Sequence, residues 1–65
     1  MDDQKTIQLD QFLKLVGLVG TGGQAKVLIQ GGEVKLNGEV ETRRKKKIKP
    51  GDMVELFGQQ VVVEF

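Results

Sequence analysis

The basic residues of this chain are concentrated in one short run, and cations at such density bind polyanions. Six of the ten lysines and arginines lie between positions 43 and 49, which leaves four lysines against nine acids elsewhere, a formal charge of −5. An arginine guanidinium binds two phosphate oxygens at once, and a lysine ammonium acts as a mobile point charge. The run therefore predicts a polyanion-binding site on an otherwise acidic chain. The candidate residues are Arg43, Arg44, Lys45, Lys46 and Lys47.

The alternative interpretation of this run is a solvated loop that charge keeps soluble. Ile48 is the nearest apolar residue and is expected to point inward. Because side chains alternate along a strand, a strand extended backwards from Ile48 would bury Lys46 and Arg44. Burial of unpaired cations is too costly, so residues 43–46 are predicted to protrude as a loop. Mutual repulsion predicts that this loop is mobile until a polyanion neutralises it.

A second candidate anion site is the glycine-rich segment of residues 17–23. Thr21 and Gln24 have the spacing of a capping box, which predicts that a helix begins here. Gly22 and Gly23 would lie at its N-terminus, where free backbone N–H groups and the helix dipole favour an anion, and their lack of side chains permits close approach of a phosphate. In the alternative interpretation these glycines only form a tight connection between two helices.

Two isolated lysines are predicted to extend the basic surface. Lys26 faces away from the apolar stripe of its predicted helix, and Lys35 alternates with the apolar residues of its predicted strand. Taken alone, each is more often an ordinary solvent-exposed lysine.

Several function classes lack support in the sequence. The chain has no cysteine and no histidine, and its carboxylates form no convincing pair, so we expect no catalytic residues, no metal site and no cofactor. No signal segment opens the chain and its apolar runs are too short to cross a bilayer, so a cytoplasmic protein is expected. Three phenylalanines are the only aromatic residues, which argues against a large base-stacking platform.

The periodicity predicts an α+β domain in which a helix pair packs on a small antiparallel or mixed sheet of four or five short strands. Leu9, Phe12, Leu13 and Val16 fall on one helical face, and a second apolar stripe follows the capping box. A single domain is expected over residues 7–65, after a flexible tail over residues 1–6. The predicted helices are 8–17 and 22–31, the predicted strands are 33–36, 39–42, 53–57 and 60–65, and the predicted turns are Asn37–Gly38, Lys49–Asp52 and Gly58–Gln59.

Three groups of residues together resemble the αL RNA-binding motif, also called the S-four domain. The resemblance covers about residues 7–57 in the family's order, and small stand-alone bacterial proteins of this type are the nearest in size. It implies RNA binding by the helix pair and the adjoining hairpin, without catalysis. The matching groups are Leu9-Asp10-x-Phe12-Leu13, then Thr21-x-x-x-Ala25-x-x-x-Ile29-x-x-Gly32-x-Val34-x-Leu36-Asn37-Gly38, and finally Lys49-Pro50-Gly51-Asp52.

The chain departs from the family pattern at two of the usual RNA contacts. Gln8 stands where members often carry arginine, and Thr21-Gly22 stands where they often carry Ser-Arg. Lys26 and Lys35 lie where the family is commonly basic, so the resemblance supports only these two as family contacts. The run at positions 43–47 is this chain's own feature and is expected to compensate.

These observations predict a non-catalytic RNA-binding protein, monomeric and cytoplasmic. It would recognise structured RNA such as ribosomal or transfer RNA mainly through phosphates, with ribosomal or RNA-processing proteins as possible neighbours. The alternative is an adaptor whose basic loop docks an acidic protein partner. Membrane-surface binding is a weaker rival, because no amphipathic anchor accompanies the basic run.

Overall fold

The structure is a computed structural model that describes residues 5–65. Its helices are α1, Leu9–Leu15, and α2, Gly22–Gln30, which confirms the predicted helix pair and the α+β class. The tail expected over residues 1–6 lies mostly outside the described residues. The strands are β1, Ile7–Gln8; β2, Lys35–Leu36; β3, Glu39–Val40; β4, Lys47–Ile48; β5, Met53–Leu56; and β6, Gln59–Val62.

Both helices end in the same hydrogen-bonded motif, which requires a glycine. After α1, Gly17 has a φ of +81° and donates its N–H to the carbonyl of Lys14 at 3.1 Å, while Leu18 donates to Leu13 at 3.0 Å. This 6→1 and 5→2 pair is the Schellman motif, and it recurs after α2, where Gly32 has a φ of +82°. The glycines end both helices as expected, but α1 ends two residues and α2 one residue before the predicted ends at positions 17 and 31.

The strands form two antiparallel sheets. The larger sheet has the order β3-β2-β5-β6, and the smaller one pairs β1 with β4. In the smaller sheet Ile7 lies opposite Ile48, so that a segment preceding α1 is joined to a segment late in the chain. The sequence prediction did not include this pairing, because two-residue strands show no alternation and depend on a distant partner.

Two of the three predicted turns are confirmed. Asn37 and Gly38 have φ values of +54° and +88°, as a type I′ hairpin requires. At the second turn Gly51 has a φ of +97° and Asp52 donates its N–H to the carbonyl of Lys49 at 3.1 Å, as in a type II turn.

The third turn lies one residue earlier than predicted. Phe57 and Gly58 occupy it, with φ values of +56° and +76°, so the last strand covers Gln59–Val62 and not residues 60–65. A positive φ is uncommon for a bulky side chain, which is why the sequence favoured Gly58–Gln59. The register, Leu56 opposite Gln59, fixes the two-residue turn at this position.

The core lies between the helix pair and the inner faces of both sheets. Val16, predicted to be buried, is 39% exposed because α1 ends before it, and Val19 is buried further along the connection. Burial of a side chain as large as Phe12 stabilises the fold by about 1.5–3 kcal/mol. The buried apolar residues are Leu9, Phe12, Leu13, Val19, Ala25, Ile29, Val34, Ile48, Val54, Leu56 and Val63.

Candidate nucleic-acid interface

Residues 43–47, here called the basic loop, connect β3 to β4 and include the first residue of β4. The N–H of Lys46 donates to the carbonyl of Arg43 at 3.1 Å, which closes a four-residue turn. The segment before Lys47 is therefore a loop, as the cost of burying cations predicts. Arg43, Lys45 and Lys47 are exposed, whereas Arg44 and Lys46 are half-buried.

The main chain of the basic loop is hydrogen-bonded to the start of α1. The N–H of Leu9 donates to the carbonyl of Lys46 at 2.9 Å, and the N–H of Asp10 donates to the carbonyl of Arg44 at 3.0 Å. The first N–H groups of a helix have no partner within it, so these carbonyls satisfy two donors that would otherwise be orphaned. These contacts anchor the loop's main chain to α1 at two points. The expected mobility of the loop before a polyanion binds stays a prediction.

One cation of the basic loop is paired with an acid of the same segment. Glu41 accepts hydrogen bonds from the main-chain N–H of Arg43 at 3.0 Å, from its Nε at 2.9 Å and from its Nη2 at 3.3 Å. The side-chain bond is the main cause that lowers the pKa of Glu41, followed by the main-chain bond, and the same side-chain bond raises the pKa of Arg43. The sequence analysis missed this pair.

The remaining cations of the basic loop have no such partner. No ion pair joins any acid of residues 5–65 to Arg44, Lys45, Lys46 or Lys47. Their side chains are therefore free to contact an external anion, although the charge of Lys46 also contributes to the lowered pKa of Glu41.

Lys49, the last cation of the basic run, lies in the turn after β4. Asp52 accepts from the main-chain N–H of Lys49 at 3.0 Å, from the Lys49 Nζ at 3.4 Å and from Asn37 Nδ2 at 3.2 Å. The main-chain bond from Lys49 is the largest cause that lowers the pKa of Asp52. Asn37 also accepts from the N–H of Met53 at 2.9 Å, so the β2–β3 hairpin is tied to β5.

A cleft of about 330 Å³ opens between the β2–β3 hairpin, the basic loop and the turn after β4. Four cations and three carboxylates line it, beside Leu36, Asn37 and Val40. The structure thus brings together three of the five residues predicted in the basic loop, while Arg44 and Lys45 lie outside the cleft. The charged lining residues are Arg43, Lys46, Lys47, Lys49, Glu39, Glu41 and Asp52.

Four further candidates from the sequence lie outside this cleft. Lys26 is exposed on α2, and Lys35 is exposed on β2, with Val40 and Glu55 opposite it on the neighbouring strands. Gly22 and Gly23 form the first turn of α2, and a side chain added at Gly22 would meet nothing within 4 Å.

The predicted cap of α2 is present in a modified form. Thr21 Oγ1 accepts from the N–H of Gln24 at 3.1 Å, and Gln24 Oε1 accepts from the N–H of Gly20 at 2.9 Å, one residue before the usual partner in a capping box. Within the described part of the chain, the N–H groups of Gly22 and Gly23 have no hydrogen-bond acceptor. They therefore remain open donors at the helix start.

The sequence analysis missed the acidic part of the site. The sequence analysis assigned no role to Glu39 or Glu41, yet both line the cleft. The Glu41-x-Arg43 spacing was the available signal, since residues two apart in an extended segment lie on the same side of the chain. Between residues 5 and 65 there is no cluster of three or more metal-ligating side chains and no helix long and apolar enough to cross a membrane.

Comparison with known proteins identifies the family of this chain. A family model described as the S4 domain matches residues 2–64, almost the entire chain. The chain belongs to the S4 domain family. The resemblance inferred from the three motif groups is thereby confirmed.

Bacterial relatives of the chain are similar over most of their length. A Bacillus subtilis (strain 168) protein named "Probable ribosome maturation protein RlbA" is 43% identical over 56 residues, which are 86% of this chain and 79% of that protein. An Escherichia coli (strain K12) protein named "Putative RNA-binding protein YbcJ" is 44% identical over 57 residues, 88% of this chain and 81% of that protein.

A solved structure supports the fold assignment. The solution structure of YbcJ from E. coli, described as revealing an αL motif involved in RNA binding, matches with a TM-score of 0.68 at 39% identity. The match covers 95% of this chain and 78% of that one. The helix pair of the present chain is thus the αL motif of an S4 domain.

Proposed function

We propose that this chain is a non-catalytic RNA-binding protein that holds structured RNA, such as ribosomal or transfer RNA, mainly by its phosphates. The observation that carries the proposal is the anchored basic loop, which presents Arg44, Lys45, Lys46 and Lys47 without acid partners in residues 5–65. Family membership and the names of the relatives support RNA as the polyanion.

Phosphate contact suits the chemistry of this surface better than base stacking does. The exposed side chains of the loop are cations, and the chain has only three phenylalanines and no tyrosine or tryptophan. Contacts to phosphate position a protein on RNA, and double-stranded RNA is recognised mostly through its shape and backbone. A compact folded RNA offers the high phosphate density that a cluster of this kind neutralises.

A second contact region would lie on the helix pair and β2. Gly22 and Gly23 leave two open N–H donors at the start of α2, where the helix dipole also favours an anion. Lys26 and Lys35 are exposed and add charge to the same role. In this proposal the second region orients the RNA and the basic loop supplies most of the affinity.

The cellular setting follows from the same proposal. Ribosomal RNA or transfer RNA in the cytoplasm would be the ligand, the protein would act as a monomer, and ribosomal or RNA-processing proteins would be its neighbours. The name of the Bacillus subtilis relative supports the ribosomal alternative.

The decisive experiment replaces Arg43, Arg44, Lys45 and Lys46 with serine and measures binding to ribosomal and transfer RNA fragments by fluorescence anisotropy. For the wild type, about five neutralised phosphates give a slope of log K against log salt of about −3.5 to −4.5. We expect the variant to lose most of its affinity and to have a much shallower slope. Its stability should change much less than its affinity, because a surface substitution shifts stability by about ±0.5 kcal/mol and four in the same direction by about 2 kcal/mol.

Lys14→Ser measures the effect of losing one exposed cation outside the basic loop, and the quadruple variant should lose more than four times as much binding free energy. Equal affinities of the wild type and the quadruple variant would place the site elsewhere. Wild-type binding that does not depend on salt would contradict the phosphate mechanism.

An acidic protein partner is the second candidate, since the same cluster is complementary to acidic side chains. Affinity capture from a lysate before and after nuclease treatment separates the two. If nuclease treatment removes the captured RNA and the captured proteins together, the result supports RNA binding. If a captured protein is retained after nuclease treatment, the result supports the adaptor.

A further inference from the structure

The cleft beside the basic loop combines two opposite charges from two different elements. The loop and β4 contribute Lys46 and Lys47, whereas β3 contributes Glu39 and Val40. A carboxylate among cations either pairs with one of them or remains free to accept hydrogen bonds from a ligand. A free carboxylate in this cleft would suit a ligand that carries both an anionic group and hydrogen-bond donors.

Only one of the three carboxylates in the cleft is available to such a ligand. Glu41 is occupied by Arg43, and Asp52 is occupied by Lys49 and Asn37. The side chain of Glu39 forms no hydrogen bond and no ion pair with any other part of the described chain. An ionised carboxylate only accepts hydrogen bonds, so the exposed Glu39 carboxylate can accept them from donors of a ligand in place of water.

The main chain of β3 offers further polar groups at the same place. β3 is an edge strand of the four-stranded sheet. Val40 lies opposite Lys35, and the next residue, Glu41, donates its N–H to Val34 at 3.0 Å. In an antiparallel pair such bonds alternate, so the N–H and C=O of Val40 point away from β2 toward the open edge. They add a donor and an acceptor beside the Glu39 carboxylate.

The size of the cleft limits what can enter it. Small-molecule sites typically have volumes of about 300–1,000 Å³, and this cleft of about 330 Å³ lies at the lower end. One nucleotide fits that scale and a duplex does not. The lining is mainly polar, and Leu36 and Val40 supply only its small apolar part.

Among the RNA bases, guanine matches the free carboxylate best. Its N1–H and N2–H groups are adjacent donors that meet the two oxygens of a carboxylate together. Uracil has one N–H between two carbonyl oxygens, which a carboxylate repels. Carboxylate side chains in nucleic-acid interfaces accept from amino groups of bases for the same reason.

We propose that the cleft binds one unpaired guanosine nucleotide of RNA, with its phosphate at Lys46 and Lys47 and the donor edge of its base at Glu39. This inference rests on the proposed function, because it names the part of the RNA that the basic loop and its neighbouring hairpin hold together. Sequence-specific RNA recognition commonly uses unstacked bases of loops and bulges, which is the form that a cleft of this size admits.

The test titrates the ¹⁵N-labelled full chain with guanosine 5′-monophosphate, uridine 5′-monophosphate and inorganic phosphate, observed by NMR. Guanosine monophosphate is expected to shift the amide signals of residues 39–41 and 46–47. It should bind about tenfold more tightly than uridine monophosphate, the discrimination that one good bidentate base contact supplies.

Two variants test which residues hold the base of the nucleotide and which hold its phosphate. Glu39→Gln should reduce the affinity for guanosine monophosphate to the level of uridine monophosphate and leave the latter unchanged or slightly raised. Replacement of Lys46 and Lys47 with serine should weaken all three ligands together. Glu33→Gln is the matched control, since it removes an exposed carboxylate outside the cleft and should leave the preference intact.

Equal affinities for the two nucleotides, or a guanosine preference that survives Glu39→Gln, would overturn the inference. That failure is distinguishable from failure of the proposed function. RNA fragments that bind through the basic loop while the two nucleotides bind equally would leave the proposed function standing and remove only the guanosine site. If no RNA fragment binds the wild type, the proposed function fails and the inference fails with it.

Discussion

The helix pair and the basic loop of this S4 domain are held by different interactions. α1 and α2 pack through side chains such as Phe12 and Ile29, which are 1% and 0% exposed, and the pair's outer surface includes the exposed Leu15 and Val27. The basic loop has no buried apolar side chain of its own and is held by main-chain hydrogen bonds to α1. Stability and charge therefore reside in separate residues, which can be altered independently.

The largest expected effect is on the free energy of unfolding, which should depend on the helix pair much more than on the basic loop. Phe12→Ala removes a fully buried ring from the helix pair, and such truncations cost about 3–5 kcal/mol. A domain of this size has a free energy of unfolding of only about 3–10 kcal/mol, so much of the variant should be unfolded. Urea denaturation followed by circular dichroism measures this, with the quadruple serine variant as the comparison. Similar stabilities of the two variants would contradict the separation.

A smaller effect concerns the internal pairing within the basic run. Glu41→Gln removes the carboxylate that holds the Arg43 guanidinium, so Arg43 becomes available to a phosphate. One additional phosphate contact should make the slope of log K against log salt steeper by about 1 and should raise RNA affinity at low salt. Binding by fluorescence anisotropy across a salt series measures both quantities.

The control for that variant is Glu33→Gln, which changes the net charge equally at an exposed position outside the cleft. If both variants gain affinity to the same extent, the gain comes from net charge and not from the release of Arg43.

The smallest expected effect is on acid stability. The folded-state pKa of Asp52 is depressed, first by the main-chain N–H of Lys49, below an ordinary value of 3.8. A depressed pKa stabilises the folded state above the ordinary value, and that contribution is lost as the pH falls through the lower folded-state pKa. Asp52→Asn should therefore have a flatter dependence of Tm on pH below about pH 4 than the wild type.

Thermal unfolding between pH 2 and pH 7 measures this difference. Parallel curves for the wild type and Asp52→Asn would show that the turn after β4 contributes nothing to acid stability.

Local signals in the sequence were sufficient for the helices and for two of the turns. The capping pair Thr21 and Gln24 marks the start of α2, and Asn37–Gly38 marks the first hairpin, because each signal depends on residues close in sequence. The β1–β4 sheet and the turn at Phe57 were not predictable in this way. Both follow from register with a distant or neighbouring strand, which forces Phe57 into a positive φ.

The candidate site was predictable in its cations but not in its acids. Charge density alone located the basic loop, and the cost of burying cations indicated a loop. Whether Glu39 and Glu41 lie beside these cations depends on how the β2–β3 hairpin packs against the following turn, where Asn37 contacts Asp52 and Met53. Contacts fifteen or sixteen positions apart leave no periodic trace in the sequence.

The two carbonyl contacts from the basic loop to α1 have a thermodynamic consequence for recognition. Fixing the backbone of one residue costs about 1–2 kcal/mol of conformational entropy at room temperature. A loop that became ordered only in the complex would lose that amount for each residue from its gross affinity. Because Leu9 and Asp10 already hold the carbonyls of Lys46 and Arg44, folding has met part of this entropic cost before an RNA arrives. Calorimetry should accordingly show an association entropy less unfavourable than that of a flexible arginine-rich peptide of the same charge.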